Sequence, residues 1–155
     1  MILAAADWGS KWWVLGHIDP SAELGVIPGV FQIILAKNPG IAFGIFQEGE
    51  SLAKVIVFSI ISILGLLFLF FFGHKIVGNH KLSEGCLVLI MGGIVGNLGD
   101  RLYHGWVTDF LDVYWRQYHW PTFNLADSYI TIGVLLLAYL EMIKVTRTAA
   151  QPCQD

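Results

Sequence analysis

Three stretches of this chain, Leu52 to Phe72, Leu82 to about Leu102 and Ala126 to Ile143, are apolar over the length that a lipid bilayer demands. A helix rises about 1.5 Å per residue, so roughly 20 residues cross a hydrocarbon core of about 30 Å. No water satisfies an open backbone group in that core, which leaves helices as the structure for runs of this kind. Composition agrees, because 55% of the 155 residues are hydrophobic and 14% charged, too apolar for a soluble domain of this size. Met1 to Leu15 is a further apolar stretch, interrupted by Asp7, Ser10 and Lys11, and its 15 residues rise only about 22 Å as a helix. It reads as a short first helix that begins inside the membrane or continues from a start upstream of Met1. A cleaved signal peptide is disfavoured, since no basic segment precedes the run and charges interrupt it.

Basic residues set the expected orientation. Lys75 and Lys81 lie in the short connection from Gly73 to Lys81, and Lys144 and Arg147 follow Ile143, whereas the two longer connections, His17 to Ser51 and Tyr103 to Leu125, hold only Lys37 and Arg116. Positive charge marks the cytoplasmic side, so both termini are expected there and four spans are needed, approximately 1-15, 52-72, 82-102 and 126-143 of a single domain 1-155. The first outer connection mixes β-branched and aromatic residues around a Pro-Gly turn from Val26 to Ala36, a pattern for strands lying on the membrane surface. A tight turn at Lys37-Asn-Pro-Gly-Ile-Ala-Phe follows, and Glu48, Glu50 and Ser51 mark entry into the next span. The second outer connection is dense in aromatic rings from Tyr103 to Phe123, which places it at headgroup level. The expected fold class is an all-α integral membrane protein of four transmembrane helices, the first one short, with a small extracytoplasmic β-structure.

Several function classes drop out. A net charge of −3 with dispersed basic residues gives no nucleic-acid footprint. Cys86 falls within a span and Cys153 in the tail, so neither a disulfide nor a CxxC site is expected, and five scattered histidines without HExxH argue against a zinc protease. No metal or other cofactor is expected.

What remains is a pair of acids. Asp109 in Gly105-Trp-Val-Thr-Asp-Phe and Asp127 in Phe123-Asn-Leu-Ala-Asp stand 18 positions apart at the two ends of the aromatic connection. Ionisable groups beside lipid are expensive and mark functional sites. Taken singly, Asp127 is a helix N-cap and Asp109 a solvated loop residue, with Asp112 a nearby rival for its role. Asn124 can supply the cap or orient a carboxylate, which leaves Asp127 free. Two carboxylates a few ångströms apart do not both ionise easily, so one keeps a proton while the other acts as base toward water. Such a dyad cleaves an amide with no acyl-enzyme, and its titration belongs to the pair.

Gly92-Gly-Ile-Val-Gly-Asn-Leu-Gly-Asp-Arg101 has the small residues that let helices approach closely, which accounts for the glycines but not for Asn97, Asp100 and Arg101. Asp100 and Arg101 are expected near the outer end of the span, paired and fixing geometry. Asp7 and Lys11, spaced i, i+4, form an intrahelical pair that spares each an unpaired burial. Lys54 snorkels, and Glu84 and Glu141 are boundary residues.

In order along the chain, Asp7-Trp-Gly-Ser-Lys11, Asn38-Pro-Gly-Ile-Ala-Phe43, Gly92 to Arg101, Val107-Thr-Asp-Phe110 and Phe123-Asn-Leu-Ala-Asp127 resemble the five motif blocks of bacterial lipoprotein signal peptidase, the signal peptidase II family. The resemblance implies a four-helix aspartic endopeptidase of the bacterial inner membrane, active on the extracytoplasmic side as a monomer. It would remove the signal peptide of a prolipoprotein before a cysteine bearing diacylglycerol, with that lipid-modified precursor and membrane lipid as partners. By motif position the catalytic residues would be Asp109 and Asp127, with Asn38, Gly40, Asn97, Arg101, Asn124, Asp7 and Lys11 supporting the site. Trp8 stands where the family usually has Gln, Pro39 where Thr is more usual, and Thr108 where an aliphatic residue is common; these bear on substrate preference. Two rivals stay open: a small proton-conducting or transporter subunit, which needs acids along a path through mid-bilayer, and a non-catalytic scaffold.

Overall fold

A computed structural model describes residues 1–40, 52–78 and 80–149. The motif residues Ile41, Ala42 and Phe43, the expected span entry at Glu48, Glu50 and Ser51, and Cys153 lie outside the described residues. The elements run α1 (Ile2–His17), β1 (Leu24–Ile27), β2 (Phe31–Asn38), α2 (Leu52–Val77), α3 (Lys81–His104), β3 (Val107–Trp115), β4 (Tyr118–His119) and α4 (Leu125–Ala149). Among the described residues, three helical segments are long and apolar enough to cross a membrane: α2, α3 and the Leu125–Lys144 part of α4. Leu64, Phe70, Phe71 and Leu135 are more than half exposed, as side chains that face lipid tails are.

Helix α3 is the hub, packing against α1, α2 and α4. Its glycines make this possible. A Cβ at Gly93 would sit 2.4 Å from the Ala126 carbonyl oxygen of α4, and one at Gly96 would sit 2.6 Å from Asp7 Oδ2 of α1. From the other side, a Cβ on Gly133 of α4 would meet Ile90 at 2.7 Å and the Cys86 carbonyl at 2.9 Å. Apolar burial gives little drive between helices in lipid, so close backbone contact supplies the association.

At the end of the bundle holding the C-termini of α1 and α3 and the N-terminus of α4, a four-stranded antiparallel sheet has the order β1-β2-β3-β4. The strand pair expected around Val26 to Ala36 forms as the β1–β2 hairpin, turned by Gly29 at φ 79°. The aromatic connection from Tyr103 to Leu125 is more ordered than a loop. Val107 to Trp115 is strand β3, paired with β2 so that Ala36 faces Asp109 and Asn38 faces Val107. Its partner lies about 70 residues earlier in the chain, and such pairing depends on context that local pattern does not carry. Asp109 is therefore a strand residue, not a solvated loop residue. The helices outrun the apolar stretches, α2 continuing through His74 and Lys75 to Val77 and α3 ending only at His104.

Gly93→Ala overpacks α3 against the α4 backbone and is expected to cost about 1–3 kcal/mol. Gly85→Ala, where an added Cβ meets nothing within 4 Å, is expected to be neutral or stabilising. Thermal unfolding of both variants in one detergent separates close packing from helix propensity.

Candidate active site

Lys11 is fully buried and sits at the base of the site. Its Nζ lies 2.7 Å from Asp7 Oδ2 and 3.3 Å from Asp100 Oδ2, and donates to Asn97 Oδ1 at 3.0 Å. Both acids are engaged further. Asp7 Oδ1 accepts the Ala126 N–H at 2.9 Å in the first turn of α4, and Asp100 Oδ2 accepts the Thr108 N–H at 2.9 Å in β3. The i, i+4 pair read from sequence is thus the centre of a network that joins α1, α3, β3 and α4. Burial of an ammonium is tolerable only with such multiple partners.

The Asn97 amide is oriented by this arrangement. Because its oxygen accepts from Lys11, its nitrogen is turned outward and donates to Asp127 Oδ1 at 2.7 Å. Asp127 is the third residue of α4, and Asn124 is its N-cap. The Asp127 N–H donates to Asn124 Oδ1 at 3.0 Å while the Asn124 N–H donates to Asp127 Oδ2 at 3.3 Å, a reciprocal capping box. Asp127 is therefore not the N-cap itself: Asn124 takes that place, one Asp127 oxygen closes the box from the third helical position, and the other accepts from Asn97.

Asp109 is 3% exposed. Its Oδ1 accepts from Asn124 Nδ2 at 2.6 Å and its Oδ2 from Asn38 Nδ2 at 2.9 Å. Asn38 is oriented by the same device as Asn97, its oxygen accepting the Gly40 N–H at 2.9 Å. That turn requires glycine, with φ at 102° and an added Cβ only 2.4 Å from the Phe58 ring of α2. Burial pushes the Asp109 carboxyl up from 3.8 to about 7; the Asn38 bond opposes this, the nearby Asp127 charge adds to it, and Asn124 and Lys11 oppose it.

Arg101 lies close enough for its charge to act on Asp127, Asp109 and Asp100, and its guanidinium carbon is 5.7 Å from the Phe58 ring centre. Among the described residues it forms no ion pair with these acids, and its buried Nε has no hydrogen-bond partner. Asp112, the rival acid, belongs elsewhere, accepting from Gln32 Nε2 and lying 2.8 Å from His119 Nδ1. Asp109, Asp127, Asn38, Gly40, Asn97, Asn124, Asp7 and Lys11 thus share one hydrogen-bonded constellation, with Arg101 beside it. Sequence reasoning missed Phe58, hidden in an apolar run; Trp8, singled out only as a departure from the family pattern, has its indole donating to the Gly96 carbonyl at 2.9 Å and packing over Gly99. Among the described residues no group of three or more His, Cys, Asp or Glu side chains is placed to hold a metal ion.

A strand carboxylate and a carboxylate in the first turn of a helix, each held by asparagine amides, thus lie at one end of an apolar bundle, and the family this chain matches is one of membrane peptidases. The family model described as Signal peptidase (SPase) II matches residues 1–143, and the chain belongs to that family. It is 36% identical over 149 residues to the lipoprotein signal peptidase of Solibacter usitatus, covering 96% of this chain and 90% of that one. It is 39% identical over 144 residues to that of Geobacter sulfurreducens, covering 93% and 88%. Two solved structures described as bacterial membrane enzymes are similar in fold. One has a TM-score of 0.77 at 30% identity over 90% of this chain and 86% of that one; the other has 0.73 at 25% over 99% and 88%.

Lys11→Met leaves Asp7 and Asp100 facing each other without their cation and is expected to destabilise the protein by about 3–5 kcal/mol, with partial recovery in Asp7→Asn/Lys11→Met. Thermal unfolding of both variants in detergent checks this. The raised Asp109 value gives stability a sign in pH. Between 3.8 and about 7 the folded state holds a proton that the unfolded chain has lost, so stability falls as pH rises through this window, by up to about 4 kcal/mol. Asp109→Asn should flatten that slope in melting curves taken from pH 4 to 8.

Proposed function

We propose that this chain is the endopeptidase that removes signal peptides from diacylglyceryl-modified prolipoproteins, with Asp109 and Asp127 as its catalytic pair. One observation carries the assignment: two carboxylates from different elements are bridged through Asn124, which donates to Asp109 at 2.6 Å and shares a capping box with Asp127. Burial makes Asp109 the favoured holder of the shared proton. The ionised partner takes a proton from water, and the resulting hydroxide adds to the scissile carbonyl, whose oxygen accepts a hydrogen bond from the protonated carboxyl. Collapse of the tetrahedral intermediate breaks the C–N bond as the dyad delivers a proton to the departing amine. Asn38 and Asn97 position the carboxylates without exchanging protons with substrate. Asp7, Lys11 and Gly40 act one step further back, and the Arg101 charge stabilises the ionised dyad.

Four transmembrane helices in one domain, α1 included, with the sheet on the extracytoplasmic side of the bacterial inner membrane and both termini in the cytoplasm, complete the proposal. Lys75, Lys81 and Lys144 at the bundle end away from the sheet support that orientation. Helix α2 packs on α3, and the described residues show no comparable packing of α2 on α4, so an apolar signal helix would approach laterally between α2 and α4 over α3. The enzyme works as a monomer on a precursor and lipid that share its bilayer. A proton relay fits less well, because Val55 to Phe72, Gly85 to Gly99 and Ser128 to Leu140 carry no acidic or basic side chain across mid-bilayer.

Asp109→Asn and Asp127→Asn should each lower cleavage of a diacylated precursor peptide by about 10²–10⁴-fold or more while the protein stays folded. The unlipidated twin of that peptide should be a poor substrate for the parent. Full activity in either variant, or proton flux in liposomes without cleavage, sinks the assignment.

A further inference from the structure

A second apolar feature meets the site at Asp127. A cavity of about 470 Å³ opens between the segment Trp120 to Phe123 and the face of α4 that carries Asp127, Ser128, Thr131 and Ile132. At 3.6 residues per turn, Ser128, Thr131 and Ile132 point away from Ala126 and Gly133, the residues that pack on α3. The cavity therefore lies on the side of α4 turned away from α3 and meets the site at Asp127. Ile132 is 55% exposed, and Leu135, one turn further along, is 65% exposed, so the cavity continues into the lipid-facing surface of the helix. Beside Asp127 the lining turns polar through Thr122 and Thr131, whose hydroxyls have no partner among the described residues.

We propose that this cavity receives one acyl chain of the diacylglyceryl group on the substrate cysteine, with the Thr122 and Thr131 hydroxyls donating to its ester carbonyl. The inference rests on the peptidase reading above and assigns the lipid a position within it. Size separates the candidate occupants. A helix about 10 Å wide and 5.4 Å per turn takes about 420 Å³ for each turn, so the cavity holds little more than one turn of a signal helix, whereas a flexible chain enters end-on. Chemistry agrees, since an acyl ester offers an apolar tail to Trp120 and Ile132 and only acceptors to the two hydroxyls. An acyl chain gains little hydrophobic energy in moving from bilayer to cavity, so the contact serves position more than affinity. With the signal helix on one side of Asp127 and the lipid on the other, the scissile bond is held from both ends.

The test compares two synthetic precursors with the same signal helix, one carrying S-dipalmitoylglyceryl cysteine and the other its diacetyl analogue, in one detergent at fixed concentration. Ile132→Trp fills the cavity from an exposed position. It should lower kcat/KM for the palmitoyl substrate by about ten- to a hundredfold through misplacement of the bond, and leave the diacetyl substrate within about twofold of the parent enzyme. Thr131→Val, which keeps the shape and removes the donor, should lower kcat/KM for both esters, with melting temperatures confirming that both variants fold. Equal losses on the two substrates with Ile132→Trp would mean that the cavity holds peptide, and no loss on either would mean that it holds nothing the reaction uses; both results overturn the proposal. If the parent enzyme cleaves neither substrate, the peptidase reading itself fails.

Discussion

One buried ammonium holds this structure together. Lys11 has no solvent, and its positive charge is balanced by Asp7 on its own helix and Asp100 on α3. Each of these acids also accepts a backbone N–H of a different element, that of Ala126 in α4 and that of Thr108 in β3. Four segments are thereby tied to a single point at the sheet end of the bundle. Between helices bathed in lipid, where apolar contact discriminates poorly, a polar cluster of this kind fixes which helices meet and at what depth.

From that point outward, geometry is passed along by amide side chains. An asparagine carries a donor and an acceptor on the same planar group, so fixing one fixes the other. Lys11 claims the oxygen of Asn97, and the Gly40 N–H claims that of Asn38; their nitrogens are left facing Asp127 and Asp109. Asn124 has its oxygen claimed by the Asp127 N–H and donates to Asp109. The carboxylates are thus positioned by groups that do not titrate, and burial of Asp109 is free to set its proton affinity.

Much of this was legible in the chain because the relevant residues are chemically conspicuous. Charges in apolar stretches at Asp7, Lys11, Asp109 and Asp127 stand out, and the spacing of Asp7 and Lys11 gives their contact directly. The glycines of α3 announced close packing, and the Pro28-Gly29 turn announced the hairpin. What pattern could not give were relations across the chain. Strand β3 forms because β2 is there to pair with it, and the part played by Asp112 depends on Gln32, 80 positions away. Asp127 looks like an N-cap from its place before an apolar run, yet Asn124, three residues earlier, takes that place and Asp127 closes the box from inside the helix. The contact of Phe58 with Gly40 was invisible for a different reason: within a run of lipid-facing residues, nothing local marks the one ring that turns inward.

The contrast between α2 and α3 has a consequence for how this protein can change over time. Helix α3 meets α1 and α4 at its own glycines, where an added side chain would run into a neighbouring helix, so its sequence is pinned by its surroundings. In the apolar window of α2 only 6% of residues are buried, and a lipid tail reads little more than hydrophobicity. Aside from Ser59, Gly73, Val77 and the Phe58 contact, α2 is free to drift among apolar residues. Divergence between relatives should therefore pile up on that helix, leaving it the poorest guide to ancestry and the readiest place for the protein to adapt to bilayers of different thickness.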